Sequence, residues 1–234
     1  MAHARIVSPT RIPPVTFLPV NKYSTKEFRM ANAYPDDDSP HPAMLTLRQQ
    51  ERRERLLDAA LSLVTAQGYE RVQVREVADL AEVSLGTLYN YFASKERLFA
   101  EVLVRWTESL ATDVRNRPLP QAPPPARLSE AMRRAVHAFE LRPQMARLIT
   151  LLAISSDPVS SRLIEQMERS TTDAYMLALA DLDPILARRV VNVVNAIFTT
   201  TLLIWSKERI TTREFYNRVF SAVELLTPSL VSQS

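Results

Sequence analysis

The sequence predicts an all-α protein, in which a short three-helix unit is followed by a bundle of about six helices. Apolar residues recur at helical spacing along most of the chain, beginning with Leu56, Leu57 and Ala60. No two segments show the alternating pattern of paired β-strands. The 16 prolines also divide the chain, because seven precede Met44 and five lie from Pro118 to Pro125. The others fall at predicted helix ends, where proline does not disrupt a helix.

Residues that favour helix termini justify the first elements. Gly68 stops the first helix, because glycine readily adopts the left-handed conformation of a C-terminal cap. Ser84 and Ser94 can each accept a hydrogen bond from the free backbone N–H groups of a following helix. The other helices are predicted over 74–81, 85–92, 95–116, 125–141, 144–155, 158–181, 184–208 and 212–226. In the first of these, Val77, Ala78 and Leu80 are expected to point inward.

Carboxylates and prolines mark the starts of the later helices. Asp157 and Asp183 each precede a proline, so a capping carboxylate stands directly before the first helical turn. Thr211, followed three residues later by Glu214, forms a capping box. These signals place the starts of the last three long helices.

The proline map also predicts the domain boundaries. Residues 1–44 show no sustained helical period and are interpreted as a disordered leader. The alternative is that this leader is not translated, because Met44 directly precedes the first helix. Residues 45–95 then form the three-helix domain, residues 96–228 a second helical domain, and residues 229–234 a disordered tail.

Composition excludes several classes of site. The chain has no cysteine, which rules out disulfide frameworks, zinc ribbons and thiol catalysis. Its two glycines are too few for the glycine-rich phosphate loops of P-loop and Rossmann folds. His137 has no nucleophilic partner nearby in the sequence, so we expect no enzyme, no metal and no cofactor. No apolar run reaches the ~18 residues of a membrane span, and no signal peptide is evident, which favours a cytoplasmic protein without a membrane partner.

The third predicted helix has the chemistry of a helix that enters the DNA major groove. Two short helices joined by a tight turn, after a longer helix, form the helix-turn-helix pattern. From Val83 to Lys95 the sequence VSLGTLYNYFASK holds one lysine and no carboxylate, although the chain's net charge is only +3. A groove-facing helix must avoid carboxylates, because phosphate oxygens would repel them. Lys95 can reach a phosphate from the start of the next helix.

The side chains of this helix divide into DNA-facing and core positions. Gly86 lacks a Cβ, which allows close approach to the preceding helix or to the sugar-phosphate backbone. The amide of Asn90 can pair with adenine, and Leu85 can touch a thymine methyl group. Leu88 and Phe92 are assigned to the core. The two tyrosines could each be core residues taken singly, and the pattern as a whole assigns them to DNA. The predicted DNA-facing residues are Ser84, Leu85, Gly86, Thr87, Tyr89, Asn90, Tyr91 and Lys95.

The segment GTLYNYFASKERL, from Gly86 to Leu98, matches the pattern G-T-x-Y-x-x-F-x-x-K-x-x-L and resembles the DNA-binding domain of TetR-family transcriptional regulators. The resemblance implies an all-helical homodimer that binds a near-palindromic double-stranded DNA operator, usually as a repressor released by a small ligand. It also implies a phosphate-contacting position for Gln73. Leu85 departs from the family, in which many members have Lys or another polar residue. A transcriptional activator and a ligand-independent DNA-binding protein are the alternatives.

The last two predicted helices resemble one branch of that family more loosely. Residues 187–226 are similar to the steroid-catabolism repressors, the KstR-like branch. That resemblance implies a large apolar effector, either a sterol-derived or a fatty acyl-CoA thioester.

Methionine and aromatic residues of the second domain are candidates for lining a ligand pocket, because they adapt well to apolar ligands. Bundle core is the alternative for each of them. The candidates are Trp106, Phe139, Met145, Leu148, Leu152, Met167, Tyr175, Phe198 and Leu202.

The last two helices are candidates for a dimer interface, because the helix 184–208 is apolar on more than one face. Two such helices from each subunit would form an isologous four-helix interface. The alternative is that both helices are internal. The candidate interface residues are Phe198, Leu203, Phe215, Val219, Phe220 and Val223.

Overall fold

The computed structural model describes residues 45–153 and 157–231, and within them every regular element is a helix. The predicted all-α fold is therefore confirmed. The helices are α1 Leu47–Gln67, α2 Val74–Leu80, α3 Leu85–Tyr89, α4 Lys95–Asn116, α5 Pro124–Leu141, α6 Pro143–Ala153, α7 Pro158–Met176, α8 Pro184–Ser206 and α9 Thr212–Val231, and a 3-10 turn follows α7 at Leu177–Leu179.

Two predicted segments relate differently to the described residues. The leader 1–44 lies outside them. The predicted tail, 229–234, is partly helical, because α9 continues to Val231. Its last residues, 232–234, lie outside the described part of the chain.

The helix starts follow the predicted capping chemistry. Ser84 accepts a hydrogen bond from the backbone N–H of Thr87 at 3.0 Å, and Ser94 accepts one from Arg97 at 3.1 Å. The carboxylate of Asp157 accepts from the backbone N–H of Ser160 at 2.7 Å. The caps at Asp183 and Thr211 are also formed. Local sequence alone thus sets these boundaries.

The helices α3 and α7 end well before the residues at which their apolar pattern predicts an end. α3 ends at Tyr89 instead of residue 92, because the backbone N–H of Tyr91 bonds back to Leu88 O at 2.9 Å and tightens the last turn. α7 ends at Met176 instead of residue 181, where the 3-10 turn begins. Both are tight turns that shorten the helix at its C-terminal end.

Gly68 ends α1, but not in the predicted left-handed conformation. Its φ of 82° is positive, while its ψ of 155° is extended, a region that only glycine occupies readily. A Cβ at this position would also stand 3.0 Å from Oε1 of Gln144, on α6. The turn between α1 and α2 therefore depends on this glycine.

We expect Gly68→Ala to lower the free energy of unfolding by ~1–3 kcal/mol, because alanine is strained at this backbone conformation. Gly86→Ala is the matched control, since Gly86 lies inside α3 and an added Cβ there meets only Ser84 Oγ, at 3.9 Å. That control should be neutral or slightly stabilising. Denaturant unfolding of both variants measures the difference, and equal stabilities would contradict the assigned strain.

α4 connects the three-helix unit to the bundle. It packs on α1 on one side and most extensively on α7 on the other. Arg105, on α4, pairs with Asp58 of α1 at 2.5 Å, and Arg53 of α1 pairs with Glu101 of α4. A shift of α4 would therefore change the packing of both the three-helix unit and the bundle.

Aromatic rings from four helices form the centre of the bundle. Trp106 of α4 lies edge-on to Phe139 of α5, with ring centroids 4.9 Å apart. Phe139 lies 6.0 Å from Phe198 of α8, and Phe198 lies 5.3 Å from Phe215 of α9. Trp205 closes the row against Phe215 at 5.7 Å. The helices α4, α5, α8 and α9 thus share one hydrophobic core.

α8 is also long and apolar enough to cross a membrane by length and composition. The core helix of a soluble protein passes the same test, and α8 packs against α6, α7 and α9. This property is weak evidence about membranes.

Candidate DNA-binding surface and ligand cavity

α2 and α3 form a helix-turn-helix whose geometry is fixed by the turn between them. Glu82 adopts a positive φ of 56°, and the backbone N–H of Val83 bonds to Ala78 O at 3.0 Å. Leu88 and Phe92 are completely buried, as predicted, and they hold one face of α3 against the domain. The opposite face of α3 is exposed.

The outward face carries most of the predicted DNA-facing residues. Leu85 is 39% exposed and Tyr89 is 47% exposed. Ser84, Gly86 and Asn90 are also exposed, and Thr87 is half-buried. No acidic residue occurs between Val83 and Lys95, so this face can approach phosphates without charge repulsion.

The surroundings of Gly86 bear on its two predicted roles, which are close approach to the preceding helix or to the sugar-phosphate backbone. The space around it is open on the protein side, so its missing Cβ does not serve packing against α2. The missing Cβ instead leaves open space on the exposed side of α3.

Tyr91 and Leu80 lie differently from the predicted pattern. The Tyr91 ring is 7% exposed and lies 6.4 Å from the buried ring of Phe92, so it belongs mainly to the core. Leu80, expected to point inward at the end of α2, is 54% exposed. Gln73 stands exposed at the start of α2, where its backbone N–H donates to Glu76 at 2.9 Å.

Tyr69, which sequence reasoning did not single out, holds the predicted phosphate contact Lys95. The Nζ of Lys95 lies 4.4 Å from the centroid of the Tyr69 ring. Burial lowers the pKa of Lys95, while the nearby carboxylates, Glu96 foremost, oppose that shift. Burial and the same carboxylate raise the pKa of Tyr69 above its ordinary range. The available signal was an aromatic residue directly after the helix-ending Gly68.

A cavity of about 330 Å³ opens between α4, α5, α6, α7 and α8. Five of the predicted pocket residues line it, namely Phe139, Met167, Tyr175, Phe198 and Leu202. The other four do not: Trp106, Met145, Leu148 and Leu152. These four are buried in the core instead, and Trp106 packs behind Phe139.

Polar side chains that the sequence reasoning missed also line the cavity. Thr107, Thr171 and Asn195 belong to its wall. Tyr175 is buried, its hydroxyl donates no hydrogen bond within the described ranges, and burial raises its pKa above the ordinary range. A buried phenol in an apolar wall is suited to bind an oxygen atom of a ligand.

Three arginines belong to the cavity lining. Arg134 donates to the backbone oxygens of Arg117 and Pro118 at 3.0 and 3.1 Å, and it pairs with Glu130. Its guanidinium is therefore fixed. Arg117 and Arg142 supply further positive charge to the same lining.

The structure corrects the predicted dimer interface. Phe198, Phe215, Val219 and Val223 are buried inside one subunit, so they have no surface to offer a partner. Leu203 is 41% exposed, and Phe220 is half-buried. Along α8, Val193, Ala196, Thr200 and Leu203 form an exposed stripe at helical spacing.

Comparison with known proteins places the chain in a family. Residues 56–102 match the family described as bacterial regulatory proteins, tetR family. Over 179 residues the chain is 31% identical to the HTH-type transcriptional repressor KstR of Rhodococcus jostii, covering 76% of this chain and 84% of that protein. The chain belongs to the TetR family, in its KstR-like branch. Both resemblances found in the sequence are thereby confirmed.

Solved structures of TetR regulators share the fold. A TetR transcriptional regulator from Rhodococcus sp. RHA1 aligns over 80% of this chain and 100% of its own, with a TM-score of 0.68 and 23% identity. Thermus thermophilus FadR, a TetR-family repressor in complex with lauroyl-CoA, aligns over 78% of this chain and 96% of its own, with a TM-score of 0.63 and 19% identity.

Proposed function

We propose that this TetR-family regulator is a ligand-released repressor that binds a near-palindromic operator as a homodimer. Its effector is a large apolar molecule of the acyl-CoA class, sterol-derived or fatty. The observation that carries the proposal is that α4 directly follows the helix-turn-helix in the chain and also lines an apolar cavity. As a DNA-binding protein of this family, it would act in the cytoplasm on the nucleoid.

The outward face of α3 supports major-groove recognition. Leu85 and Tyr89 are exposed on this five-residue helix, and Asn90 is exposed directly after it. They present an apolar group, a hydroxyl and an amide, which can read base edges and contact phosphates. Two such helices related by a two-fold axis would enter successive grooves ~34–36 Å apart.

The cavity supports an amphipathic effector. Its volume is within the range of small-molecule sites, ~300–1,000 Å³, and its wall is mainly apolar. The three arginines of the lining outnumber its two carboxylates, so the cavity would attract an anionic head group; these residues are Arg117, Arg134, Arg142, Asp113 and Glu168. The lauroyl-CoA complex of Thermus thermophilus FadR is consistent with this class of effector, and the similarity to the repressor KstR of Rhodococcus jostii is consistent with repression.

The exposed stripe of α8 supports the homodimer. Val193 is 46% exposed on a helix that is apolar enough to resemble a membrane span. Covering this stripe with its two-fold copy would bury the apolar face isologously.

A release assay tests the proposal. The operator is first selected from a random duplex library, and stearoyl-CoA, a sterol-derived acyl-CoA and free CoA are then titrated against the complex. At least one of the two acyl-CoA thioesters should release the DNA, whereas CoA alone should not. Release by none of them would remove the effector class, and equal affinity for unrelated DNA would remove the regulator itself, which should favour its operator by ~10³–10⁷.

We expect Asn90→Ala to weaken operator binding by ~1–3 kcal/mol and to relax sequence preference at one operator position, because the exposed Asn90 amide is placed to read a base. Competition against single-base operator variants measures both effects. A uniform loss across all sequences would make Asn90 a phosphate-positioning residue instead.

A further inference from the structure

Lys95 is held at the start of α4 by a residue from a different element. Its Nζ lies 4.4 Å from the ring centroid of Tyr69, in the turn between α1 and α2. A cation over an aromatic face is attracted by the negative face of the ring. The Tyr69 ring thus acts on the position of the lysine ammonium group.

The Tyr69 ring is itself fixed by two further contacts. Its edge meets the ring of Phe99 at 5.3 Å and 89°, and Phe99 is fully buried one turn along α4. Its hydroxyl donates to Oε1 of Glu96 at 3.1 Å. The ring therefore has a defined place before any partner arrives.

The ammonium group of Lys95 keeps its hydrogen-bonding capacity. Across residues 45–153 and 157–231, Lys95 forms no ion pair, although the carboxylates of Glu96, Glu70 and Glu76 act on it electrostatically. A contact to the ring face uses none of the three N–H donors in a directed hydrogen bond. The donors remain available to an anion outside the protein.

We propose that Tyr69 is a positioning residue for DNA binding, whose ring holds Lys95 so that its ammonium group meets a phosphate oxygen of the duplex backbone. A lysine restrained before binding loses less side-chain freedom on binding. The inference rests on the proposed function, because it requires that Lys95 contact DNA.

Fluorination of the ring tests the electrostatic contact without changing the shape of the side chain. Tyr69→Phe serves as the reference, and phenylalanine carrying one, two or three ring fluorines replaces it at position 69 in the full chain. Each fluorine weakens the negative face of the ring. The affinity for the selected operator should fall stepwise, by about three- to fivefold over the series.

The same series in a Lys95→Ala background separates positioning from packing. Lys95→Ala alone should lower the salt slope of binding by about 1, and the fluorine series should then be flat. A stepwise loss that is equal in both backgrounds would make Tyr69 a purely structural residue and overturn the proposal. A flat series with Lys95 present, or a gain in affinity, would also overturn it, the gain by showing that the ring holds Lys95 away from DNA.

Failure of the proposed function gives a different result. A wild-type protein that binds every duplex equally contradicts the operator-specific regulator. The fluorine series on that duplex still reads the contact between Tyr69 and Lys95, because phosphates are common to all sequences. Lys95→Ala with unchanged affinity and salt slope would remove the phosphate contact and this inference with it. Thermal unfolding of each variant confirms that the helix-turn-helix is intact.

Discussion

Leu85→Glu should weaken operator binding by roughly a hundredfold or more, the largest effect expected from a single change on the DNA-facing surface. Leu85 is 39% exposed on the face of α3 that carries no carboxylate. A glutamate there would face phosphate oxygens, and like charges in an interface cost several kcal/mol, where ~1.4 kcal/mol is tenfold in Kd. Fluorescence anisotropy with the selected operator measures the loss.

The loss of binding does not come from a destabilised helix. Leu85 is the first residue of α3. A carboxylate in the first turn of a helix is favourable, since it complements the helix dipole. Leu85→Gln is the matched control, because the glutamine side chain is polar and nearly the same size as glutamate but carries no charge. The difference between Glu and Gln should shrink as salt rises, because salt screens exposed charges. Equal affinities for the two variants would place Leu85 away from the phosphates.

Local chemistry explains which parts of the fold were predictable from sequence. Ser84, Ser94 and Asp157 cap their helices as predicted, because a cap is decided by a residue and the next three along the chain. For the backbone of Gly68, the sequence predicted only the positive sign of φ. Its positive φ follows from the residue type, but glycine does not by itself fix ψ, and the closeness of Gln144 on α6 is not evident from the local sequence.

Residues whose role depends on helix packing were predictable only in part. Phe139 lines the cavity while Trp106, in contact with it, does not, although both are large aromatic residues on amphipathic helices. Which of the two reaches the cavity is set by how α4 and α5 cross. Tyr69 was missed for the same reason, because its partners Lys95 and Phe99 lie on α4, beyond two intervening helices in the chain.

Apolar residues on several faces of one helix are the hardest to assign. α8 and α9 carry enough apolar surface for both an internal core and an external interface. The sequence does not say which face is which, so Phe215 and Val223 were predicted at the interface although they are core residues. The exposed stripe that includes Val193 and Leu203 becomes evident only when the helices are packed.

Phe215→Ala distinguishes these two kinds of surface, and it should lower the free energy of unfolding by ~3–5 kcal/mol. The Phe215 ring is completely buried and contacts the rings of both Phe198 and Trp205 at 5.3 and 5.7 Å. Its removal leaves a cavity within one subunit that the surrounding helices can close only partly. Chemical denaturation, read by tryptophan fluorescence, measures the loss.

The oligomeric state separates a core residue from an interface residue. Leu203→Asp is the matched variant, because Leu203 is 41% exposed on the stripe of α8 that we propose contacts the partner subunit. A buried, unpaired aspartate at an interface is costly, so this variant should dissociate to a folded monomer and lose operator binding. Phe215→Ala should instead remain a dimer up to its unfolding transition, since its defect lies within the subunit. Sedimentation of both variants at several concentrations distinguishes the two roles. A folded Phe215→Ala monomer would show that Phe215 belongs to the interface after all. A dimeric Leu203→Asp protein would show that the α8 stripe does not form the interface.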